Sequence, residues 1–360
     1  MITFDDVSFA YQGGIPDGSE PPALRHIHFH AERGECIVLC GKSGCGKTTM
    51  LRMVNGLVPH FYQGRLEGDI TVGNVHVKEA SLPQVAAVVG SVFQNPRTQF
   101  FHLDTTGEMA FNMENLNIPH DKMVERLKET AWKLDIQTLM DRDIFQLSGG
   151  VKQQIACGSV YASMPEVIVM DEPSSNLDME SIRKLQDLIR TMKDEGKTIL
   201  ISEHRLWYLE DIADRYVLLK DGQIENEFAS DEILALSLQE LEQLGLRAVR
   251  RKQLWNMGTR TIRQEKDMEK AAFLEIEGLR FSRQMRQVLD INRLAIPKGA
   301  IVAVIGENGA GKSTFALCLC GLLKHHGTVR INGERISNKK LPEQAYLVMQ
   351  EPGHQLFSDS

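Results

Sequence analysis

Apolar positions in this chain fall into short strand-like runs that alternate with helix-spaced segments. Ile2-Thr3-Phe4 and Val7-Ser8-Phe9-Ala10-Tyr11 read as strands, followed by a Gly/Pro-rich loop from Gly13 to Pro22. Leu24 to His30 alternates weakly, as a half-buried strand does. Glu35 leads into a short apolar run, Cys36 to Cys40, and Thr48 to Leu57 continues in a helical pattern. Helical periodicity with mixed charge from about Asp121 to Met140 predicts an inserted helical subdomain. Val167 to Met170 and Thr198 to Ile201 read as buried strands, joined by an amphipathic crossover helix from Asp178 to Lys193. Strands alternating with helices in this way predict an α/β core built on a parallel sheet.

The pattern weakens after Gly222. Residues from about Asp231 to Lys270 are charged and partly helical in spacing. Their cluster of Arg247, Arg250, Arg251, Lys252, Arg260 and Arg263 reads as a solvated linker. From Phe273 the opening pattern restarts: Phe273-Leu274-Glu275-Ile276, then Leu279-Arg280-Phe281, then the apolar run Ile301 to Ile305. The chain is therefore expected to hold a tandem repeat, with a first domain at 1–228, a charged linker at 229–271 and an incomplete second copy at 272–360.

Composition narrows the class without naming a chemistry. Hydrophobic residues make up 42% and charged residues 25%, ordinary values for a globular protein. A net charge of −7 offers no global basic field, so no nucleic-acid partner is expected. No apolar run approaches the roughly 18 residues needed to span a bilayer. The six cysteines show no C-x-x-C spacing and read as small buried hydrophobes. Cys45 is the exception, because it lies inside a glycine-rich loop where alkylation is expected to compete with ligand.

That loop carries the chemistry. Gly41-Lys42-Ser43-Gly44-Cys45-Gly46-Lys47-Thr48 and Gly306-Glu307-Asn308-Gly309-Ala310-Gly311-Lys312-Ser313 both fit G-x-x-x-x-G-K-[ST], each after an apolar run and before a helical pattern. Glycines let the backbone wrap an anion, with N–H groups pointing inward at a helix N-terminus. Lys47 would reach the β- and γ-phosphates and Thr48 would ligate Mg²⁺. Lys312 and Ser313 are their counterparts, and Thr49 and Thr314 follow in the two helices. Asp171, at the end of an apolar strand, suits a carboxylate that holds Mg²⁺. Glu172 beside it would polarise the attacking water as general base.

Leu147-Ser148-Gly149-Gly150-Val151-Lys152-Gln153-Gln154 resembles the signature of the ATP-binding cassette (ABC) family. That resemblance implies a P-loop NTPase fold with an ABC-type nucleotide-binding domain and helical subdomain. It also implies that Ser148, Gly149 and Gly150 cap a helix facing the γ-phosphate held by a partner domain. The family's other motifs can be matched in order. Phe93-Gln94-Asn95-Pro96 resembles the Q-loop, where Gln94 would sense Mg²⁺ and water. Ser174-Ser175-Asn176-Leu177-Asp178 resembles the D-loop, His204 the switch histidine, and Tyr11 the aromatic that stacks on adenine. Val151 stands where the family more often has a polar residue.

Two Q-loop-like runs, Gln94 to Phe101 and Gln350 to Phe357, are similar to those of energy-coupling factor transporters, as are Asp171 to Asp178 and Glu203 to Leu206. This resemblance implies an ATP-hydrolysing motor that uses ATP and Mg²⁺ at the cytoplasmic face of a membrane. It would drive a transmembrane subunit and a separate solute-binding subunit for a vitamin or metal-class solute. Cassettes of the family pair head to tail, so a second cassette, in this chain or a paired one, would complete each site. Gln350 would be the second copy's metal-sensing glutamine. Arg283 stands where the second copy should have its adenine-stacking aromatic, and no second signature, Asp-Glu pair or switch histidine follows Gln350. A partial sequence is the expectation. Two other readings stay open: a tandem-cassette ATPase acting on ribosomes, and a fused sugar-importer ATPase. A nucleotide-gated binding module without hydrolysis fits poorly with both Glu172 and His204 present.

Overall fold

The computed structural model describes residues 1–12, 22–255, 272–283 and 286–349. The chain divides into two compact units, Met1–Met257 and Gly258–Ser360. Gln350, Arg260, Arg263 and most of the loop after Tyr11 lie outside the described residues.

The first unit holds two sheets. An antiparallel sheet has the order β2-β1-β4-β5, from strands Ile2–Tyr11 (β1), Leu24–Ala31 (β2), Gly64–Val72 (β4) and Val75–His76 (β5). A six-stranded sheet has the order β10-β9-β3-β8-β7-β6. Its strands are Cys36–Cys40 (β3), Val89–Val92 (β6), Val167–Asp171 (β7), Thr198–Ser202 (β8), Arg215–Lys220 (β9) and Gln223–Ala229 (β10). All its pairings are parallel except the hairpin between β9 and β10.

The continuous apolar runs follow from burial on both faces of this sheet. Ile37, Leu39, Val167, Val169, Leu200 and Val217 point into a core shared with the antiparallel sheet. Their neighbours Val38, Ile168, Met170, Ile199, Ile201 and Leu218 point into a second core under the helices. The crossover helix Met179–Asp194 buries Ile182, Leu185, Leu188, Ile189 and Met192 there, and its Asp178 cap accepts from Ser181 N at 2.9 Å. The expected helical subdomain is present as His120–Lys133, joined by a helix at Thr105–Asn115 that the sequence pattern did not reveal. Both lean on the helix Gly149–Ala162.

Residues after 229 depart from the expected solvated linker. Helices Ser230–Ala235 and Leu238–Gln243 fold back onto the cassette, and Ile233, Leu241, Leu246 and Val249 are buried in the helix-side core. The compact unit accordingly runs on to Met257. Four apolar anchors outweigh the surrounding charge because the charged heads stay in water while only the anchors are buried.

The second unit shows one antiparallel sheet, β12-β11-β13-β14, from Ala272–Arg283 (β11), Arg286–Pro297 (β12), His326–Ile331 (β13) and Glu334–Ile336 (β14). It matches the first unit's antiparallel sheet in order. The expected strand Ile301–Ile305 does not form, and Ile301 and Ile305 are 102% and 88% exposed. In the first unit the equivalent β3 is held between β8 and β9. Among the described residues of the second unit nothing corresponds to those two strands, so the run has no partner to pair with.

Packing of the segment after β10 has a measurable consequence. Leu241→Ala removes a fully buried side chain and is expected to lower unfolding stability by about 2–5 kcal/mol in denaturant titration. A change below about 0.5 kcal/mol would mean that the segment is solvated after all.

Candidate functional site

The first glycine-rich loop bridges β3 and the helix Lys47–Val54. Gly41 has φ +135° and lies so close to β9 that a Cβ would sit 2.2 Å from the Leu219 carbonyl oxygen. Gly46 has φ +108°, and a Cβ there would sit 2.6 Å from Leu24. These backbone angles and clearances exclude side chains. Lys47 is 4% exposed, and its Nζ donates to the carbonyls of Gly41 at 3.0 Å and Lys42 at 2.9 Å. The ammonium thus holds the loop curled around its own charge. Ser43 and Gly44 lie exposed at the tip, while Thr49 is buried in the helix behind.

Neighbouring strands bring the acidic groups to the same place. Asp171 ends β7 beside Ser202 of β8 in register. Its Oδ1 accepts from Thr48 Oγ1 at 3.1 Å and from Ser202 Oγ at 2.5 Å. Glu172 follows with φ 43°, a strained angle for a side chain of that size, fixed by its N–H donating to the Ser202 carbonyl at 2.9 Å. Its carboxylate accepts from Gln94 Nε2 at 2.8 Å and lies 3.3 Å from His204 Nε2. Burial, reinforced by the Lys47 ammonium, holds the His204 imidazole below its ordinary pKa. Lys47, Thr48, Asp171, Glu172, Gln94 and His204 therefore form one connected constellation at the C-terminal ends of the parallel strands.

A cavity of about 370 Å³ opens beside it, lined by Gly41, Lys42, Ser43, Glu172, Glu203 and His204, and by Gly245, Leu246 and Arg247 from the segment after β10. Sequence reasoning missed Glu203 and this second set. The spacing of Leu241, Leu246 and Val249 was the available signal for packing there. Tyr11 sits in an edge-to-face cluster with Phe9 and Tyr62, and its hydroxyl meets Thr49 Oγ1 at 3.1 Å and Arg52 Nη1 at 3.1 Å.

Ser148 caps the helix Gly149–Ala162, its Oγ accepting from Val151 N at 3.4 Å. A Cβ on Gly150 would sit 2.0 Å from Ser181 Oγ, whereas Gly149 faces open space. None of the three lines the cavity beside the loop.

The second loop repeats the first. Gly306, Gly309 and Gly311 have φ +148°, +87° and +94°, against +135°, +81° and +108° for Gly41, Gly44 and Gly46. Lys312 Nζ donates to Gly306 O and Glu307 O, both at 2.7 Å, and Ala310 N to Glu307 O at 3.2 Å, as Cys45 N does to Lys42 O at 3.4 Å. Asn308 and Ser313 are exposed and Thr314 is half-buried. Arg283 is exposed at the end of β11.

Magnesium fits the first constellation. Thr48 and Asp171 offer oxygen ligands, the type a hard divalent cation takes, with few carboxylates because substrate phosphates complete such sites. Among the described residues no group of three or more His, Cys, Asp and Glu could hold a metal ion.

A glycine loop between parallel strand and helix, with an Asp-Glu pair ending a nearby strand, defines a P-loop NTPase of α/β fold. A family profile described as ABC transporter matches residues 24–175 and 289–360. An ABC transporter ATP-binding protein of Treponema denticola is 40% identical across the whole chain, which spans 73% of that relative. One from Streptomyces coelicolor is 33% identical, again across the whole chain and 72% of the relative. Among solved structures, cbiO1 from Clostridium perfringens, part of the ABC transporter complex cbiONQ, aligns at TM-score 0.58 with 24% identity, over 67% of this chain and 94% of that one. The chain belongs to the ABC transporter family, and it is an ATPase. Matches in two ranges accord with the tandem organisation.

Cys45 corrects one expectation. It is 6% exposed and belongs to the sheet core that includes Leu39 and Met50, although it also borders a cavity with Lys42, Ser43 and Gly44. Alkylation of the native protein, followed by mass spectrometry, is expected to leave Cys45 unmodified with or without nucleotide and to label it after denaturation. Rapid native labelling would contradict this burial.

Proposed function

We propose that this chain is the ATP-hydrolysing motor of a membrane importer of the energy-coupling factor type, working at the cytoplasmic membrane face on a vitamin or metal-class solute. The observation that carries the reading is the meeting of Lys47, Thr48, Asp171, Glu172, Gln94 and His204 in one constellation.

In this reading the Glu172 carboxylate takes a proton from the attacking water as its oxygen bonds to the γ-phosphorus and the bond to the β-phosphate oxygen breaks. Gln94 orients Glu172, and His204, kept neutral, can donate to the γ-phosphate. The curled loop and Lys47 cradle the β- and γ-phosphates, and Tyr11 offers its ring to adenine. Thr48, Asp171 and Gln94 would hold Mg²⁺, which supplies charge neutralisation at the phosphate oxygens. Ser148, Gly149 and Gly150 serve the nucleotide of another cassette; none of them lines the cavity beside their own loop. Lys312, Ser313 and the glycines at 306, 309 and 311 form the phosphate cradle of a second cassette at 272–360, with Gln350 as its metal-sensing glutamine. The first cassette is taken as 1–228, with the segment from 229 to Val249 packed onto it.

Coupling to a membrane subunit is supported by the surface that follows Gln94. Phe101, Leu103 and Phe145 are 73%, 71% and 73% exposed, and the Leu103 carbonyl accepts from Ile144 N, which brings the last two together. Large apolar side chains left on a surface mark a partner site. No helix among the described residues is long and apolar enough to cross a membrane; in this reading separate transmembrane and solute-binding subunits form the path.

Glu172→Gln is expected to keep nucleotide binding and to cut hydrolysis by roughly a hundredfold or more, measured as phosphate release beside nucleotide affinity. Undiminished hydrolysis would remove Glu172 from this role. Activity should also show an acid limb. His204, with its pKa held down, stays neutral above the ordinary imidazole value of about 6.5 and takes a proton only as pH falls below it. A pH–rate profile that rises on acidification would contradict a neutral His204.

A further inference from the structure

Glu203 is 2% exposed, and it sits between the end of β8 and His204. Its Oε1 accepts from the His204 N–H at 2.8 Å and the Arg205 N–H at 3.0 Å. Its Oε2 accepts from the Ser174 N–H at 3.3 Å and the Tyr208 hydroxyl at 2.9 Å. Tyr208 is itself fully buried in the helix-side core, and burial beside Glu203 holds its phenol protonated far above the ordinary range. Arg205 adds a second tie, donating to the carbonyls of Ser174 at 3.1 Å and Leu177 at 3.2 Å.

A buried carboxylate is costly unless it is fully hydrogen-bonded. Among the described residues no cation lies within ion-pair distance of Glu203, and its four partners are neutral donors. Three of these are backbone N–H groups belonging to two different loops. A carboxylate supplies what no other side chain of this size can: two oxygens that accept from both loops and donate to neither. The loops leave adjacent strands, β7 and β8, and one carries His204 while the other is the segment Ser174 to Leu177.

Resting on the reading of the site above, we propose that Glu203 is a positioning residue that locks the Ser174–Leu177 loop and the His204 backbone into one rigid unit. Displacement of that loop by a neighbouring cassette then moves His204 with it. The site's response to assembly passes through Glu203, not through the nucleotide alone.

The test compares the wild-type chain with Glu203→Gln, Tyr208→Phe and the control Lys47→Ala. Glutamine keeps one acceptor oxygen, so the His204 and Arg205 N–H bonds can persist while the Ser174 N–H bond is lost. Hydrogen exchange should therefore speed up at Ser174 and stay slow at His204 and Arg205. The kcat of Glu203→Gln should fall about ten- to a hundredfold, with KM for ATP and nucleotide affinity within about twofold of wild type. Tyr208→Phe removes one donor only and should fall less, which keeps the proposal falsifiable if Glu203→Gln folds poorly. An unchanged kcat in folded Glu203→Gln would overturn it, as would a kcat loss matched only by lowered thermal stability. Lys47→Ala should abolish nucleotide binding. If it does not, the assignment of the phosphate loop fails, a result distinct from any behaviour of Glu203.

Discussion

The parallel pairing of β7 with β8, Asp171 beside Ser202, is the constraint on which the site depends. Through it the Ser202 hydroxyl and carbonyl reach both Asp171 and the strained backbone of Glu172. The loops that leave these two strands then carry His204 and the Ser174 segment side by side. Thr48 reaches Asp171 because β3 lies next to β8 in the same sheet. A shift of one residue would turn Asp171 and Ser202 to opposite faces. Burial of both sheet faces makes such a slip expensive, since each core residue would exchange one packed environment for another that does not fit.

The second unit separates what is local from what is not. Its glycine loop adopts nearly the same angles as the first, and Lys312 closes it onto the same two carbonyls. Loop shape thus needs little of the sheet: glycines that tolerate positive φ, a lysine that draws the carbonyls inward, and close packing of the last glycine on one preceding strand, Leu24 in the first unit and Leu289 in the second. The strand before it behaves otherwise. Ile301 to Ile305 has the composition of β3 yet forms no ladder among the described residues, because strand formation requires neighbours far away in sequence. Gly306 also lacks the close carbonyl that Leu219 presents to Gly41. A phosphate loop is therefore a local motif, whereas a catalytic constellation is a property of the whole sheet.

The same distinction explains how much could be read without coordinates. Lys47, Asp171 and Glu172 could be picked out from a glycine motif and a strand end, and His204 from its place in the family's ordered motifs; the structure brings Thr48 to Asp171 and Glu172 to His204. The apolar runs that became β3, β7 and β8 were legible because double-sided burial removes the ambiguity of alternation. The segment after β10 was misjudged, since its arginines dominate the composition while four well-spaced apolar residues decide where it packs. Glu203 was named only as the start of a family-like run, and its contacts were hidden for a different reason. Its function comes from two backbone N–H groups after it and one nearly thirty residues before it, and no local pattern announces such a convergence. Cys45 misled because position in a loop says nothing about which way a side chain faces.

His204 and Glu172 show how burial and charge divide the work at this site. Two groups 3.3 Å apart could form an ordinary ion pair, with the imidazole charged by its carboxylate neighbour. Burial opposes that outcome, and the Lys47 ammonium opposes it again. A cation already fixed by two loop carbonyls leaves little electrostatic room for a second. In the proposed reading the histidine is thus left neutral, able to offer one N–H and to accept at the other nitrogen, while the glutamate keeps an oxygen on which a water proton can land. The lysine that curls the loop therefore also reinforces the effect of burial on a side chain that comes more than one hundred and fifty residues later.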